Sequence, residues 1–183
     1  MANFYISDLH LGHYNIIRLC SRPFSSVEEM DEAIINNWNK AVKDTDNVYI
    51  GGDFCYKSGK DPVEYLKRLN GKKHLCIGNH DKALLKNPAA RKYFESIKDI
   101  MNITDGDKRI VLCHYPMVEW DGFFRDSIHL FGHIHNNTSN AAYNITKNIP
   151  NCYNIGADVL GFTPRTLEEI IKIKRLINFT NNC

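Results

Sequence analysis

The sequence predicts an α/β domain, built from mixed β-sheets with helices outside them. In the first half of the chain, short apolar runs alternate with segments whose apolar residues recur at helical spacing, as in βα units. In the second half, strand-like runs follow one another with little helix between them, which argues against one uniform parallel sheet. The length of 183 residues suits a single domain over residues 1–183.

Seven short apolar runs are predicted strands. The fourth and fifth runs flank Asp105-Gly106, a dipeptide that favours a β-hairpin. The runs occupy residues 4–6, 48–50, 74–77, 100–104, 109–113, 128–131 and 152–155.

Three helices are predicted from their start signals. Residues 26–29 and 166–169 are capping-box patterns, and apolar residues at helical spacing follow both. Asp61-Pro62 can begin a third helix, for which Gly71 is the stop signal.

Composition and charge exclude several classes of protein. The 23 basic and 21 acidic side chains leave a net charge of +2, without the concentrated basic face of a dedicated nucleic-acid binder. There is no secretory signal at the start of the sequence and no apolar run of membrane-spanning length. We therefore expect a cytoplasmic protein whose cysteines are free thiols. The six cysteines are Cys20, Cys55, Cys76, Cys113, Cys152 and Cys183.

Residues with metal-binding side chains follow the predicted strands. Because ligands of α/β folds bind at strand ends, side chains from neighbouring strands are expected to converge there. Glycines in three of the segments allow sharp turns and a close backbone approach. The segments are Ser7-Asp8-Leu9-His10, Gly51-Gly52-Asp53, Gly78-Asn79-His80-Asp81, Cys113-His114, Gly132-His133-Ile134-His135 and, more weakly, Asn154-Ile155-Gly156-Ala157-Asp158.

These residue types suit divalent cations of intermediate hardness. Carboxylate, imidazole and amide oxygen ligands fit Mn, Fe, Zn, Co or Ni. Asp8 and His10 lie two residues apart and point the same way from an extended segment, as do His133 and His135. Asp53 has two oxygens and can bridge two cations. Two metals about 3.5–4 Å apart would clamp a phosphoryl group and activate a shared water.

The set of residues supports this prediction better than any single histidine does. A lone histidine in an apolar chain is more often a hydrogen-bonded core residue, and a lone Asp-x-His motif is nearly uninformative. Here five of the eight histidines follow apolar runs and have Asp or Asn nearby. Burying so many polar side chains together without a metal would be costly.

In this order the motifs resemble those of the calcineurin-like metallophosphoesterase superfamily, whose pattern is D-x-H, G-D, G-N-H-[D/E], H and G-H-x-H. The fourth element departs slightly, because Cys113 stands where glycine often precedes the histidine. Residues 7–16, 22–24 and 154–158 are also similar to a small bacterial or phage-type branch, which narrows the function little. The matching residues are Asp8, His10, Gly52, Asp53, Gly78, Asn79, His80, Asp81, His114, His133 and His135.

The resemblance implies a four-layer αββα fold, in which two mixed sheets form a sandwich flanked by helices. It also implies two divalent metal ions, with manganese as the first expectation. Asp8, His10, Asp53 and His135 would hold one ion, and Asp53, Asn79, His114 and His133 would hold the other.

The implied reaction is hydrolysis of a phosphodiester or phosphomonoester by attack of a metal-bridging hydroxide. His80 would face the leaving-group oxygen and stabilise or protonate it. Asp81 is predicted to orient His80.

Several further residues have two interpretations. His13 and Asn15 either contact a substrate phosphate or shape the loop and cap the following helix. Arg22 either pairs with a phosphate oxygen or is held by a surface carboxylate. Asp158 either orients a ligand histidine or caps a turn.

Four aromatic residues after His114 also have two interpretations. They could stack on a nucleobase, but such residues more often close the core beneath a loop, and we expect this of at least two. They are Tyr115, Trp120, Phe123 and Phe124.

Two alternative functions use the same residues. A non-catalytic scaffold would have no need of His80 or of both histidines in residues 132–135. A nuclease or cyclic-nucleotide phosphodiesterase would share the site and differ in the groove. Since the chain has no long insert to form a nucleic-acid channel, we expect a small, nucleotide-like phosphate ester, no membrane partner and no dedicated nucleic-acid surface.

Overall fold

The computed structural model describes the backbone of residues 1–180 and the side chains of residues 1–176. Within these residues, eight strands form two four-stranded sheets, ordered β1-β2-β3-β4 and β5-β6-β7-β8. The strands are β1 (Asn3–Ile6), β2 (Asn47–Ile50), β3 (Lys72–Cys76), β4 (Phe94–Lys98), β5 (Ile100–Asp105), β6 (Lys108–Cys113), β7 (Ile128–Phe131) and β8 (Cys152–Asn154). The helices are α1 (Tyr14–Leu19), α2 (Val27–Ala41), α3 (Pro62–Leu66), α4 (Lys82–Leu85), α5 (Pro88–Arg91), α6 (Ala141–Thr146), α7 (Ala157–Leu160) and α8 (Leu167–Thr180).

The predicted fold class, two sheets flanked by helices, is confirmed. The first sheet is parallel throughout, whereas the second combines the antiparallel β5–β6 hairpin with two parallel pairs. The hairpin register pairs Asp105 with Lys108, so the turn begins at Gly106, one residue later than predicted. The sequence prediction missed β4, because Glu95, Ser96 and Lys98 interrupt its apolar character at the sheet edge.

The predicted helices begin at their capping signals. The Ser26 side chain accepts a hydrogen bond from the Glu29 N–H at the start of α2. The third predicted helix, α3, ends at Leu66, several residues before the expected stop. The five helices α1 and α4–α7 were not predicted, because four to six residues are too few to show a helical period.

The apolar core divides into layers that follow the alternation of side chains along the strands. Ile6 points to the outer face of the first sheet and packs with Trp38 of α2. Tyr5 points the opposite way, into the space between the sheets that it shares with Leu112. Phe131 lies on the outer face of the second sheet.

The two sheets meet where β1 and β8 end. The Ser7 N–H donates to the Ile155 carbonyl and the Ala157 N–H donates to the Ser7 carbonyl, both at 2.8 Å. This bridge between Ser7 and Gly156 is parallel, so the two strands run in the same direction. The loops that leave the carboxyl ends of both sheets therefore open at one edge of the molecule.

Two further expectations bear on the whole chain. Cys20, Cys55, Cys76, Cys113 and Cys152 are free thiols, and Cys183 lies outside the described residues. Among residues 1–180, none of the helices combines the length and the apolar character needed to cross a bilayer.

Candidate metal centre

The loops after five strands bring the seven candidate ligands into one cluster. The loop after β1 supplies two of them, those after β2, β3 and β6 supply one each, and the loop after β7 supplies two. The residues are Asp8, His10, Asp53, Asn79, His114, His133 and His135. Their side chains form two groups with Asp53 between them, and an oxygen of Asp8 also lies within 4.8 Å of ligand atoms of Asp53 and His114.

The first group contains Asp8, His10 and His135, whose possible ligand atoms all lie within 4.8 Å of one another. His10 is only 2% exposed, and neither of its ring nitrogens has a hydrogen-bond partner among the described residues. Burial, together with the nearby His135, holds the pKa of His10 well below its ordinary value. A neutral buried imidazole with no partner is costly, and a cation bound to its lone pair would remove that cost.

The second group places two imidazole nitrogens against one amide oxygen. Asn79 Oδ1 lies 3.0 Å from both His114 Nε2 and His133 Nδ1. His114 Nδ1 lies 2.8 Å from the Gly51 carbonyl, which can only accept, so this nitrogen carries the ring proton. His114 Nε2 then turns a lone pair toward the lone pairs of an oxygen. A cation between them would convert this repulsion into coordination.

Asp53 connects the two groups through one oxygen. Its Oδ2 lies 3.5 Å from His10 Nε2 and 3.6 Å from His114 Nε2. Its Oδ1 accepts a hydrogen bond from the His80 backbone N–H at 2.8 Å. A single carboxylate oxygen therefore faces both groups, while the other fixes the orientation of the carboxylate.

Left-handed backbone conformations are concentrated at these ligands. Asp8, His10, Asp53, His133 and His135 have φ values between 51° and 70°. Such a conformation costs a residue other than glycine about 1–3 kcal/mol, and it is typical of ligand sites, where the surrounding structure enforces it. Five of the seven candidate ligands are strained in this way, which indicates that the fold aims their side chains at one point.

Glycines in the same loops allow the backbones to approach closely. A Cβ atom at Gly78 would lie 2.5 Å from the Asp53 nitrogen, and one at Gly52 would lie 2.6 Å from His114 Nδ1. Gly52 also has a φ of +98°. No other residue fits these two positions without displacing a candidate ligand.

Comparison with known proteins agrees with this arrangement. The sequence model of the calcineurin-like phosphoesterase family matches residues 4–160. The chain belongs to this family. The family implies divalent metal ions, and the two groups of donor atoms fit them.

The relatives of this calcineurin-like phosphoesterase leave its substrate open. The chain is 34% identical over 176 residues to the uncharacterized protein MJ1445 of Methanocaldococcus jannaschii, covering 93% of this chain and 89% of that protein. The crystal structure of AQ665 from Aquifex aeolicus, a protein of unknown function, aligns with a TM-score of 0.72 and 29% identity. That alignment covers 93% of this chain and 98% of the Aquifex chain.

Behind the ligands of this family member, Asp158 holds His135. His135 Nδ1 lies 2.8 Å from Asp158 Oδ2, which leaves Nε2 available to a metal. Burial lowers the pKa of His135, but the hydrogen bond to Asp158, together with Cys20 and the charge of Asp8, outweighs burial and raises that pKa to about 10. Of the two roles considered for Asp158, the structure therefore shows the orientation of a candidate ligand.

The proposed contact of Arg22 with a substrate phosphate is wrong. Its side chain is fully buried, and it donates to Asp158 Oδ1 at 2.8 Å and Oδ2 at 3.1 Å. It also donates to the carbonyls of Leu9 at 2.9 Å and Asp8 at 2.7 Å. Arg22 therefore fixes the loop after β1 and the carboxylate behind His135, and its carboxylate partner is buried.

The predicted contact from Asp81 to His80 is also absent. The Asp81 carboxylate accepts hydrogen bonds from the backbone N–H groups of Asp53, Phe54 and Gly78 at 2.8–2.9 Å. Burial raises the pKa of Asp81 to about 6, although these hydrogen bonds oppose the rise. Asp81 therefore joins the loops after β2 and β3, and within the described residues it makes no hydrogen bond to the His80 ring.

His80 and His13 lie beside the cluster and, besides the candidate ligand His10, share Tyr56 as a neighbour. The ring of Tyr56 lies 4.1 Å from that of His80 and 4.9 Å from that of His13, between centroids. Asn15 is exposed on α1, and its side chain makes no hydrogen bond within the described residues. Sequence reasoning missed Tyr56, because it lies outside every motif and reaches the histidines only through the fold.

As expected, two of the four aromatic residues after His114 pack in the core. Trp120 and Phe123 pack in the core on the outer face of the second sheet. Phe124 is 85% exposed. Tyr115 is 47% exposed, and its ring lies 4.6 Å from that of His133. Tyr115 is thus the aromatic residue of this set that borders the metal cluster.

Proposed function

We propose that this protein is a binuclear-metal-dependent phosphoesterase that hydrolyses phosphodiester or phosphomonoester bonds in a small, nucleotide-like substrate. The supporting observation is that Asp53 Oδ2 faces both His10 and His114. We propose manganese as the metal, with iron, zinc, cobalt or nickel as alternatives. The proposal also includes the two expected sets of ligands. They are Asp8, His10, Asp53 and His135 for one ion, and Asp53, Asn79, His114 and His133 for the other.

Each protein group has a separate task in this proposal. When bound, the two cations supply Lewis-acid polarisation of the phosphoryl oxygens and lower the pKa of the attacking water. Asp158 fixes the tautomer of His135, and the Gly51 carbonyl fixes that of His114. Asp81 holds the loop that carries Asp53.

We assign the leaving-group oxygen to His80. Its backbone N–H is tied to Asp53, whereas its ring is half-buried at the edge of the cluster beside Tyr56 and His10. The ring can hold a proton near the leaving oxygen without being a metal ligand. General-acid catalysis of this kind contributes about 10²–10⁴-fold to the rate.

Metal analysis tests the binuclear site directly. Chelated protein reloaded with each candidate metal should bind two ions per chain and recover hydrolysis of at least one phosphate ester. The substrate panel comprises a monoester, a diester, cyclic nucleotides and dinucleoside polyphosphates. Full activity with one ion per chain would refute the binuclear proposal. Two bound ions without hydrolysis of any ester would refute catalysis and favour the scaffold.

The same substrate panel tests whether the site prefers a diester or the more highly charged monoester. Arg22, the cation considered for a monoester dianion, is buried against Asp158 and so does not reach a substrate. We therefore expect a bis-aryl phosphate diester to be cleaved at least as fast as the matching monoester. A strong monoester preference with every metal would contradict this part of the proposal.

Substitution of His80 tests the leaving-group role. His80→Ala should keep both metals and lower turnover of esters with poor leaving groups by about 10²–10⁴-fold. The loss should shrink for a nitrophenolate, which needs little protonation to leave. Loss of metal would make His80 a ligand, and an unchanged rate for every ester would make it structural.

A further inference from the structure

Tyr56 lies between the two histidines that border the metal cluster outside the candidate ligands. Its ring centroid is 4.1 Å from that of His80, in a tilted arrangement, and 4.9 Å from that of His13, in an edge-on arrangement. The rings of His80 and His13 in turn lie 5.5 Å and 5.6 Å from that of His10. The rings of Tyr56, His80 and His13 thus continue from the candidate ligand His10 as a wall along the edge of the first group.

The backbone beneath Tyr56 is fixed to the loop that carries the first ligands. The Tyr56 N–H donates to the Leu11 carbonyl at 3.3 Å, and the Leu11 N–H donates to the Phe54 carbonyl at 3.1 Å. Leu11 and Cys55 form a parallel bridge between these hydrogen bonds. The loop after β2 is thus joined to the loop after β1 one residue before Tyr56. The backbone position of Tyr56, from which its ring extends, is therefore fixed.

The His80 ring needs an orienting neighbour other than Asp81. The carboxylate of Asp81 is occupied by three backbone N–H groups. The backbone of His80 is held through Asp53, but that hydrogen bond leaves its ring free to rotate. The ring contacts that restrain it are those with Tyr56 and His10.

The ring of Tyr56 makes these contacts, and its hydroxyl does not. Among the described residues, no hydrogen bond involves the Tyr56 hydroxyl, while its ring touches His80 and His13 and receives the Lys57 ammonium at 5.2 Å. Contacts between aromatic rings have defined geometric preferences, and here they are tilted toward His80 and edge-on toward His13. A phenylalanine would preserve them.

We propose that Tyr56 is a positioning residue, which holds the His80 imidazole toward the leaving-group oxygen by ring contact and, with His13, forms the wall of the substrate pocket on that side. This inference rests on the proposed phosphoesterase function. Tyr56 acts through His80 and takes no proton itself. Correct placement of a catalytic group is worth a large factor, since a displacement of about 1 Å can cost about 10²-fold.

Steady-state kinetics with esters of graded leaving-group pKa test this role. Tyr56→Leu should lower kcat for poor leaving groups by about ten- to a hundred-fold, with little loss for nitrophenolate and with both metals retained. Tyr56→Phe should recover most of that loss. Tyr153→Leu removes another half-buried tyrosine, outside the ring wall, and should leave the kinetics unchanged.

A double substitution isolates the path through His80. In the His80→Ala background, Tyr56→Leu should have no further effect on turnover, because the group that it positions is gone. An equal loss for all leaving groups, or a full additional loss in the His80→Ala background, would overturn the proposal.

An NMR measurement separates failure of this inference from failure of the proposed function. In zinc-loaded protein, Tyr56→Leu should shift the His80 ring proton resonances through the lost ring current. Those of the buried His129, whose ring contacts are with Trp120 and Phe131, should stay in place. An inactive wild-type protein would overturn the proposed function. An unmoved His80 resonance would overturn the role of Tyr56, whatever the activity.

Discussion

Replacing Arg22 by methionine should destabilise the protein by about 4 kcal/mol. The substitution keeps most of the side-chain volume and removes a guanidinium that is fully buried against Asp158, whose side chain is 2% exposed. Breaking a buried ion pair costs about 3–5 kcal/mol, because the remaining charge is left uncompensated. His135 still pairs with Asp158, which reduces this cost. The Leu9 and Asp8 carbonyls also lose a donor, which costs about 1 kcal/mol each.

Arg68 offers a matched control for this measurement. It makes a similar two-pronged contact with Glu32, with both oxygens at 2.6 Å. These side chains are 41% and 53% exposed, and exposed pairs contribute at most about 1 kcal/mol. The two ion pairs thus differ mainly in burial and in the backbone carbonyls that Arg22 also serves.

Urea unfolding of chelated protein distinguishes the two variants. With a slope of about 2 kcal/mol per molar urea, Arg22→Met should lower the midpoint by about 2 M. Arg68→Met should move the midpoint by at most about 0.5 M. Equal shifts in the two variants, or a loss below about 1 kcal/mol for Arg22→Met, would refute the argument that Arg22 is a structural cation beneath the metal centre.

Three further predictions concern single side chains. Asp53→Asn should lose more metal and more activity than Asp8→Asn, because Asp53 faces both groups of ligands, and equal losses with both metals retained would exclude the bridging role. Burial lowers the pKa of His129 to about 4, from about 6.5 unfolded. Its stabilising contribution is therefore complete above pH 6.5 and declines as the pH falls toward 4. Between pH 7 and pH 5, wild-type protein should lose about 2 kcal/mol more unfolding free energy than His129→Gln, and parallel pH profiles would contradict this. Metal-free His10→Leu should be at least as stable as metal-free wild type, because it removes a buried imidazole without a partner. A lower melting temperature for this variant would show that His10 is satisfied in the metal-free state.

The strand ends were predictable because the relevant signal is local. Apolar runs followed directly by Asp, Asn or His marked the loops that the structure brings together at one edge. The glycine at position 78 also predicted a close backbone approach, and the structure shows that only a glycine permits the loop after β3 to lie so near Asp53. The left-handed conformations of Asp8 and His10 had only a weak signal, because Asp and His are enriched at positive φ but most of them still adopt negative φ.

The interactions behind the ligands were not predictable, because they join distant parts of the sequence. Arg22 and Asp158 are 136 residues apart, and their pairing depends on the meeting of β1 with β8. Asp81 looked like a partner of its neighbour His80, but its side chain turns toward backbone groups 27 and 28 residues earlier in the chain. Tyr56 likewise reaches the cluster only because two loops are paired.

Several local costs of this fold fall at the candidate metal centre. Left-handed backbone at five candidate ligands, an unpartnered buried imidazole at His10 and opposed lone pairs at Asn79 and His114 lie within a single cluster. The buried charges that support the ligands, such as Asp81 and Arg22, are by contrast fully hydrogen-bonded. Left-handed φ values also occur at Ser21, Lys57, Asp126, Asn151 and Phe162, but among the seven candidate ligands they occur at five. Their concentration indicates that the surrounding hydrogen bonds hold the ligands in an arrangement that becomes favourable only when cations are bound, so that metal affinity and metal-free stability oppose each other at this site.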